Sequence, residues 1–224
     1  TEAPVISPMK SPPPTDTTYL FLIRHGATDA NLQRPYILQG QGIDGPLSTL
    51  GRQQASACSA FLSDFPLCHI YASPMRRAQE SAAVIAEPHG LSVKTAATIN
   101  ECNVGRWEGM DWGRIELEFP DDYSRFRANP VEHGYLDGES YADVADRVLP
   151  VMNGLLQEHR GESIAVVAHN VVNRVYLASL LNIPLVHAPM IRQANCGINV
   201  IRHTPDETVV TTMNSAFHLD GLMV

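Results

Sequence analysis

A small set of residues in this chain has types and positions suited to chemistry on phosphorus. Arg24 and His25 close the apolar run YLFLI, and Arg76 and Arg77 open a helical pattern within SPMRRAQES. Glu101 stands in NECNVGRWEG, and His169 follows the apolar run SIAVVA. A neutral imidazole is a competent nucleophile toward phosphorus. Guanidinium forks match phosphoryl oxygens in geometry and charge. Helices starting after residues 74 and 169 would add backbone N–H donors for an anion. A carboxylic acid with a raised pKa can protonate a leaving oxygen. The set suits phosphoryl transfer through a phosphohistidine better than metal-dependent hydrolysis. A metal site normally draws on more carboxylates or a third histidine, so no metal or cofactor is expected.

These residues matter only if the chain brings them together. YLFLI (19–23), HIYAS (69–73) and SIAVVA (163–168) read as buried strands, with LSVKTAATI as a further candidate. Ser48 is a predicted N-cap for a helix carrying Leu50, Ala57, Phe61 and Leu62 on one stripe. PMRRAQESAAVIAEPHG predicts a helix with Pro74 at its first position. Tyr141, Val144, Val148, Val151 and Leu155 recur at helical spacing between Ser140 and His159. NVVNRVYLASLLN predicts another helix, and GINVIRHT with ETVVTTMN a terminal strand pair at a sheet edge. Strands alternating with helices predict an α/β fold: three layers, α/β/α, with a mostly parallel central sheet. Residues about 103–138 differ in texture and predict a small inserted helical subdomain or lid. In such sheets ligands bind beyond the carboxyl ends of the strands, where the residues above would meet.

The bulk properties set limits. The chain has 224 residues, enough for one globular domain over 17–224. The first 16 residues hold five prolines and no apolar period, and predict a disordered tail. A net charge of −8 argues against nucleic acid or an anionic membrane as partner. A few converging arginines can still hold a small anion. Cys58, Cys68, Cys102 and Cys196 form no C-x-x-C pair, so reduced thiols and a cytoplasmic location are expected. No apolar run approaches the ~20 residues of a membrane span.

The order of motifs resembles the histidine phosphatase superfamily, in its phosphoglycerate-mutase-like branch. LIRHGATDAN is similar to the opening signature of that branch, and QGQGIDGPLSTLGRQQA (39–55) to its Gln-Gly, Pro-Leu-Ser and Gly-x-x-Gln-Ala landmarks. SPMRRAQES resembles its S-x-L-x-R-A segment, which selects Arg77 over Arg76. NECNVGRWEG, GESYADVADR (138–147) and VVAHN follow in the family's order. The resemblance implies His25 as the transiently phosphorylated nucleophile. It implies Arg24, Arg77 and His169 as ligands of the phosphoryl oxygens, and Glu101 as the acid that serves the leaving alcohol and then water. Asn31 and the loop at Gln39 and Gly40 would complete the cradle. Asn170 stands where Gly is common, so its side chain also reaches toward the ligand. No cofactor is implied.

The implied function is a phosphomonoesterase acting on a small phosphorylated metabolite, with a sugar phosphate as one substrate guess. The enzyme would be a monomer or homodimer. A phosphoglycerate mutase is the competing enzyme reading, but its E-R-H-Y-G pattern and long basic insert are replaced here by ECNVGRWEG and a short acidic insert. A non-catalytic phospho-ligand binding member is the third reading, and the complete residue set argues against it. Blander assignments apply elsewhere. Arg76 is expected on a solvated helix face, and Trp107 and Trp112 in packing. His133, His187 and His203 are expected at the surface, and Glu108 as a brace for the loop.

Overall fold

The computed structural model describes residues 10–223. Its centre is a six-stranded sheet. In chain order the first elements are strand β1 (Thr18–Arg24), the short helix α1 (Asp29–Leu32), helix α2 (Thr49–Leu62) and strand β2 (Leu67–Ala72). Helix α3 (Arg76–Ala86), strand β3 (Val93–Thr95) and helices α4 (Trp112–Glu118), α5 (Pro120–Ala128) and α6 (Tyr141–Glu158) follow. Strand β4 (Ser163–Ala168), helix α7 (Asn170–Leu180) and strands β5 (Ile198–His203) and β6 (Thr208–Ser215) complete the set. The strand order is β3-β2-β4-β1-β5-β6. The first four of these run parallel, and β5 and β6 join antiparallel.

The register positions the site. Arg24 lies opposite Ala168, and Ala72 opposite Val167, so β1, β4 and β2 end flush at one edge. His25, His169 and Ser73 are the next residues along those strands. Each strand is apolar on both faces because helices cover both. Tyr19, Phe21 and Ile23 pack with α2 and α3, while Leu20 and Leu22 pack with α6 and α7. Every residue of β4 is buried. Each large apolar side chain so covered contributes about 1.5–3 kcal/mol.

Helix starts follow the expected chemistry where a side chain can cap them. The Ser48 hydroxyl accepts from the Gly51 N–H, and Ser140 and Asp143 form a reciprocal capping box at α6. On α6, Tyr141, Val144, Val148 and Leu155 are buried, but Met152 takes the covered place expected of Val151. The helix at SPMRRAQES begins later than expected. The Ser73 hydroxyl accepts from the Met75 N–H, holding Met75 extended as the cap and leaving Pro74 outside the helix.

Three other expectations are refined. Only Val93–Thr95 of the third apolar segment pairs, because its partner β2 ends at Ala72. Strand β5 lies inside the sheet between β1 and β6, so β6 alone of that pair is an edge. The inserted segment does form helices, but Trp107, Ile115, Phe126 and Tyr135 share one apolar cluster with Val144 and Val172. It is a roof continuous with the core. Of the expected disordered tail, residues 1–9 lie outside the described residues. From Lys10 onward the chain is held to the body: Lys10 pairs with Asp64, Pro13 is buried, and the Thr17 N–H donates to the Pro14 carbonyl.

Candidate active site

The strand edge assembles the predicted histidines and arginines. The His25 N–H donates to the Ala168 carbonyl at 3.0 Å, and the rings of His25 and His169 lie 5.2 Å apart. The backbone can turn sharply after His25 because two glycines meet there. A Cβ on Gly26 would stand 2.5 Å from the Gly51 carbonyl oxygen, and one on Gly51 would stand 1.9 Å from that of Ala27. A side chain at either point would push α2 away from the β1 tip.

The tautomer of His25 follows from its neighbours. Its Nδ1 lies 2.7 Å from the Gly26 carbonyl oxygen, which can only accept. Nε2 is thereby left without a proton, and Arg77 Nε donates to it at 3.2 Å. Burial, then the Arg77 and Arg24 guanidinium groups, hold His25 well below the usual histidine range. Burial also lowers His169, followed by the charges of Arg77 and His25. Both imidazoles are therefore neutral at pH 7. His169 is wholly buried, and neither ring nitrogen has a hydrogen-bond partner.

Arg77 is fixed rather than floating. Its Nη1 and Nη2 donate to the carbonyls of Ile43 and Gly40 at 3.0 and 2.9 Å, and it is fully covered. Arg76, next to it, is exposed and paired with Glu80 at 2.7 Å. Arg24 donates through Nη1 to the Gln193 carbonyl at 2.7 Å, while its buried Nε has no partner. Burial lowers both buried arginines from their ordinary value.

Glu101 sits across the site at the start of α7. Its carboxylate accepts from the N–H groups of Asn170 at 2.9 Å and Val171 at 3.2 Å, and also from that of Cys102 at 2.9 Å. The backbone N–H groups at the start of α7 thus fix where the Glu101 side chain stands. Asn170 presents a buried, unpartnered Oδ1 and lines the cavity. Asn31 and Gln39 also line it, joined through the Thr28 hydroxyl. The Asn31 oxygen further accepts from the Thr28 N–H at 3.0 Å. Gly40 is pressed against the Cys102 carbonyl, where a Cβ would come within 2.6 Å. Glu108 accepts from the N–H groups of Gly40, Gly42 and Ile43. It braces the loop, as expected.

Several supporting residues carried no sequence signal. Asn195 donates to the His25 carbonyl at 2.9 Å and to the Asn31 oxygen at 3.3 Å, tying the two together. Beneath Arg24, Gln193, Asn173 and Asn199 form a buried amide network, and Asn199 donates to the Leu22 carbonyl. Arg147 clamps Glu139 with two short contacts and also donates to the carbonyls of Asn100 and Glu101. It lies within GESYADVADR, a stretch visible as a motif without a role for this residue. Both tryptophans pack as expected, Trp107 fully buried and Trp112 stacked on Phe126, and Trp112 also lines the cavity. His133 and His187 are exposed and His203 half-buried. The cavity measures 680 Å³, within the ~300–1,000 Å³ common for small-molecule sites. Among the described residues no helix is long and apolar enough to cross a membrane.

Comparison with known proteins agrees with this geometry. A phosphoserine phosphatase of Hydrogenobacter thermophilus is 30% identical over 206 residues, covering 92% of this chain and 96% of its own. A probable phosphoglycerate mutase of Yersinia enterocolitica is 28% identical over 209 residues, covering 90% and 94%. The solved structure of YhfR from Bacillus stearothermophilus superposes with a TM-score of 0.83 at 28% identity, covering 90% of this chain and 99% of that one. The family model of the histidine phosphatase superfamily, branch 1, matches residues 20–216, and the chain belongs to that family.

Proposed function

We propose that this protein is a phosphomonoesterase that hydrolyses a small phosphorylated metabolite through a phosphohistidine on His25. The observation that carries the reading is the neutral His25 ring, its Nδ1 held by the Gly26 carbonyl and its unprotonated Nε2 beside the Arg77 guanidinium. In the first step Nε2 attacks phosphorus, the ester P–O bond breaks, and protonated Glu101 gives its proton to the leaving alcohol. In the second, Glu101 takes a proton from water, whose oxygen attacks phosphorus. The P–N bond breaks and phosphate leaves, restoring neutral His25. Arg24, Arg77 and His169 stabilise the charge on the transferring group, and Asn31, Gln39, Gly40 and Asn170 shape its surroundings. No step calls for a metal or cofactor. The free cysteines accord with a reducing compartment, and a cytoplasmic location is part of the proposal.

The mutase reading shares the first step and differs in the acceptor, a second hydroxyl in place of water. The relative that is a probable mutase keeps it in view, while the acidic insert favours hydrolysis. The test is phosphate release by purified protein over a panel of phosphorylated metabolites, with phosphoglycerate interconversion measured beside it. Release should be faster. Interconversion outrunning release would overturn the phosphatase reading.

A further inference from the structure

A second cluster of metal-ligating side chains lies at the opposite end of the sheet from the reacting groups. His69 stands in β2 opposite Ile164, Glu162 directly precedes β4, and His159 follows the last residue of α6. One donor atom from each side chain lies within 4.8 Å of the other two. Glu162 Oε2 is 2.6 Å from His159 Nδ1 and 3.4 Å from His69 Nε2. His169, at the far end of β4, is about 20 Å from Glu162 at ~3.3 Å per residue of strand. The expectation of a reaction without metal therefore does not bear on this cluster.

The geometry suits a metal ion in four respects. Burial, then the charges of Lys94 and His159, lower His69 from its ordinary value, so its ring is neutral at pH 7, as a ligand must be. His159 is almost wholly buried, and its Nε2 lies 2.8 Å from the Tyr71 hydroxyl. A histidine held through its second nitrogen in this way keeps the ring orientation that ligation needs. His69 and Glu162 have 31% and 36% of their side-chain surface exposed, which gives an ion a way in from solvent. Tetrahedral zinc sets its ligand atoms about 3.3 Å apart, so the His69–Glu162 pair already matches and the His159–Glu162 pair must open by about 0.7 Å. Lys94 opposes the ion. Its ammonium can only donate, and it lies 3.2 Å from His69 Nδ1. That contact selects the tautomer with its proton on Nε2, whereas an ion on Nε2 needs the proton on Nδ1. Lys94 is exposed and free to swing away, so its ammonium and the ion compete for one imidazole.

We propose that His69, His159 and Glu162 form a site for a divalent ion of the zinc class, with a fourth position open to solvent. Two imidazoles and a carboxylate are a donor set that suits such an ion. The ion ties the C-terminal end of α6 to β2 and stabilises the folded chain by mass action. It takes no part in the reaction at His25.

The experiment titrates ZnCl₂ into the metal-free full chain by calorimetry and follows thermal unfolding with and without the ion. Zn²⁺ at about a hundred times its Kd should raise the wild-type Tm by about 5 °C or more. His69→Gln and Glu162→Gln should each weaken binding by about tenfold or more and remove most of that rise. Both alter partly exposed side chains, and their circular dichroism should match the wild type. Lys94→Gln removes the competing ammonium and should tighten binding by about threefold or more, a gain that loss of structure does not produce. His25→Ala should bind Zn²⁺ at this site as the wild type does. Wild-type binding weaker than about 1 mM overturns the proposal. So does Zn²⁺ binding that persists unchanged in His69→Gln, or that is lost only in His25→Ala, which would place the ion among the reacting groups. An unchanged or weaker affinity in Lys94→Gln would put the ion somewhere other than His69 Nε2 and overturn it as well.

Discussion

The floor of the site and its rim are built on different principles. At the floor, His25, Arg77 and His169 are almost wholly covered, and backbone carbonyls fix the His25 and Arg77 side chains. The rim is drawn from the loop at residues 33–45, the roof and the segment before β5, with exposed arginines and half-buried aromatics facing the 680 Å³ cavity. A rigid floor suits a reaction whose transition state is the same for every ester, because preorganised donors need not rearrange as charge develops. A rim of long side chains can be changed without disturbing that geometry. In the proposed function, chemistry belongs to the floor and selectivity to the rim.

Variants can break this division, and the floor should be the more sensitive. His25→Ala removes the attacking nitrogen and should lower kcat/KM for phosphate release by about 10⁴-fold or more on every substrate. Glu101→Gln keeps the shape but cannot exchange a proton. Its loss should be about 10²–10³-fold on alkyl phosphates and clearly smaller on p-nitrophenyl phosphate, whose leaving group needs no acid. Equal losses on both esters would remove Glu101 from that role.

The buried imidazoles predict a pH effect with a definite sign. Both are held well below the usual histidine range in the folded chain. The unfolded chain takes up protons there near pH 6.5, and the folded chain does so only at lower pH. Stability is therefore unaffected by these groups above about pH 6.5 and falls as the pH drops below it, by up to about 1.4 kcal/mol per unit for each ring. The fall in thermal stability between pH 7 and pH 5 should be shallower in His25→Asn/His169→Asn than in the wild type. Parallel curves would contradict the assignment. The same depression keeps the nucleophile unprotonated, so the acid limb of kcat/KM should lie below pH 6.5.

Smaller effects belong to the braces and the rim. Glu108→Ala leaves three loop N–H groups without their acceptor and should cost about 1–2 kcal/mol in thermal or denaturant unfolding. It should also raise KM, because Arg77 is anchored by the carbonyls of that loop. Trp112→Ala, on the rim, should change KM by only about threefold and leave p-nitrophenyl phosphate turnover nearly as it was.

The floor was also the more legible part. His25, His169, Arg77 and Glu101 lie beside strand ends or in short segments whose spacing is set by the sheet, so sequence position translated directly into place. Their supports were not legible. Asn195 and Asn199 come from the far end of the chain, and nothing in QANCGINV distinguishes an amide that pins the His25 carbonyl from a surface asparagine. The displaced start of α3 was missed because Pro at a helix's first position is the common case, and the Ser73 hydroxyl overrode it. Trp112 shows the limit for the rim. Its packing against the core was the expectation, and only the fold shows that it lines the cavity as well.

The central claim is a covalent phosphoryl group on His25 Nε2. Mixing the enzyme with a turned-over phosphomonoester, quenching under alkaline denaturing conditions that preserve phosphohistidine, and mapping the modified peptide by mass spectrometry tests it directly. The account predicts phosphate on the peptide containing His25, formed and consumed at the rate of turnover and absent from His25→Ala. Steady turnover with no phosphopeptide, or with the label on another residue, would contradict it.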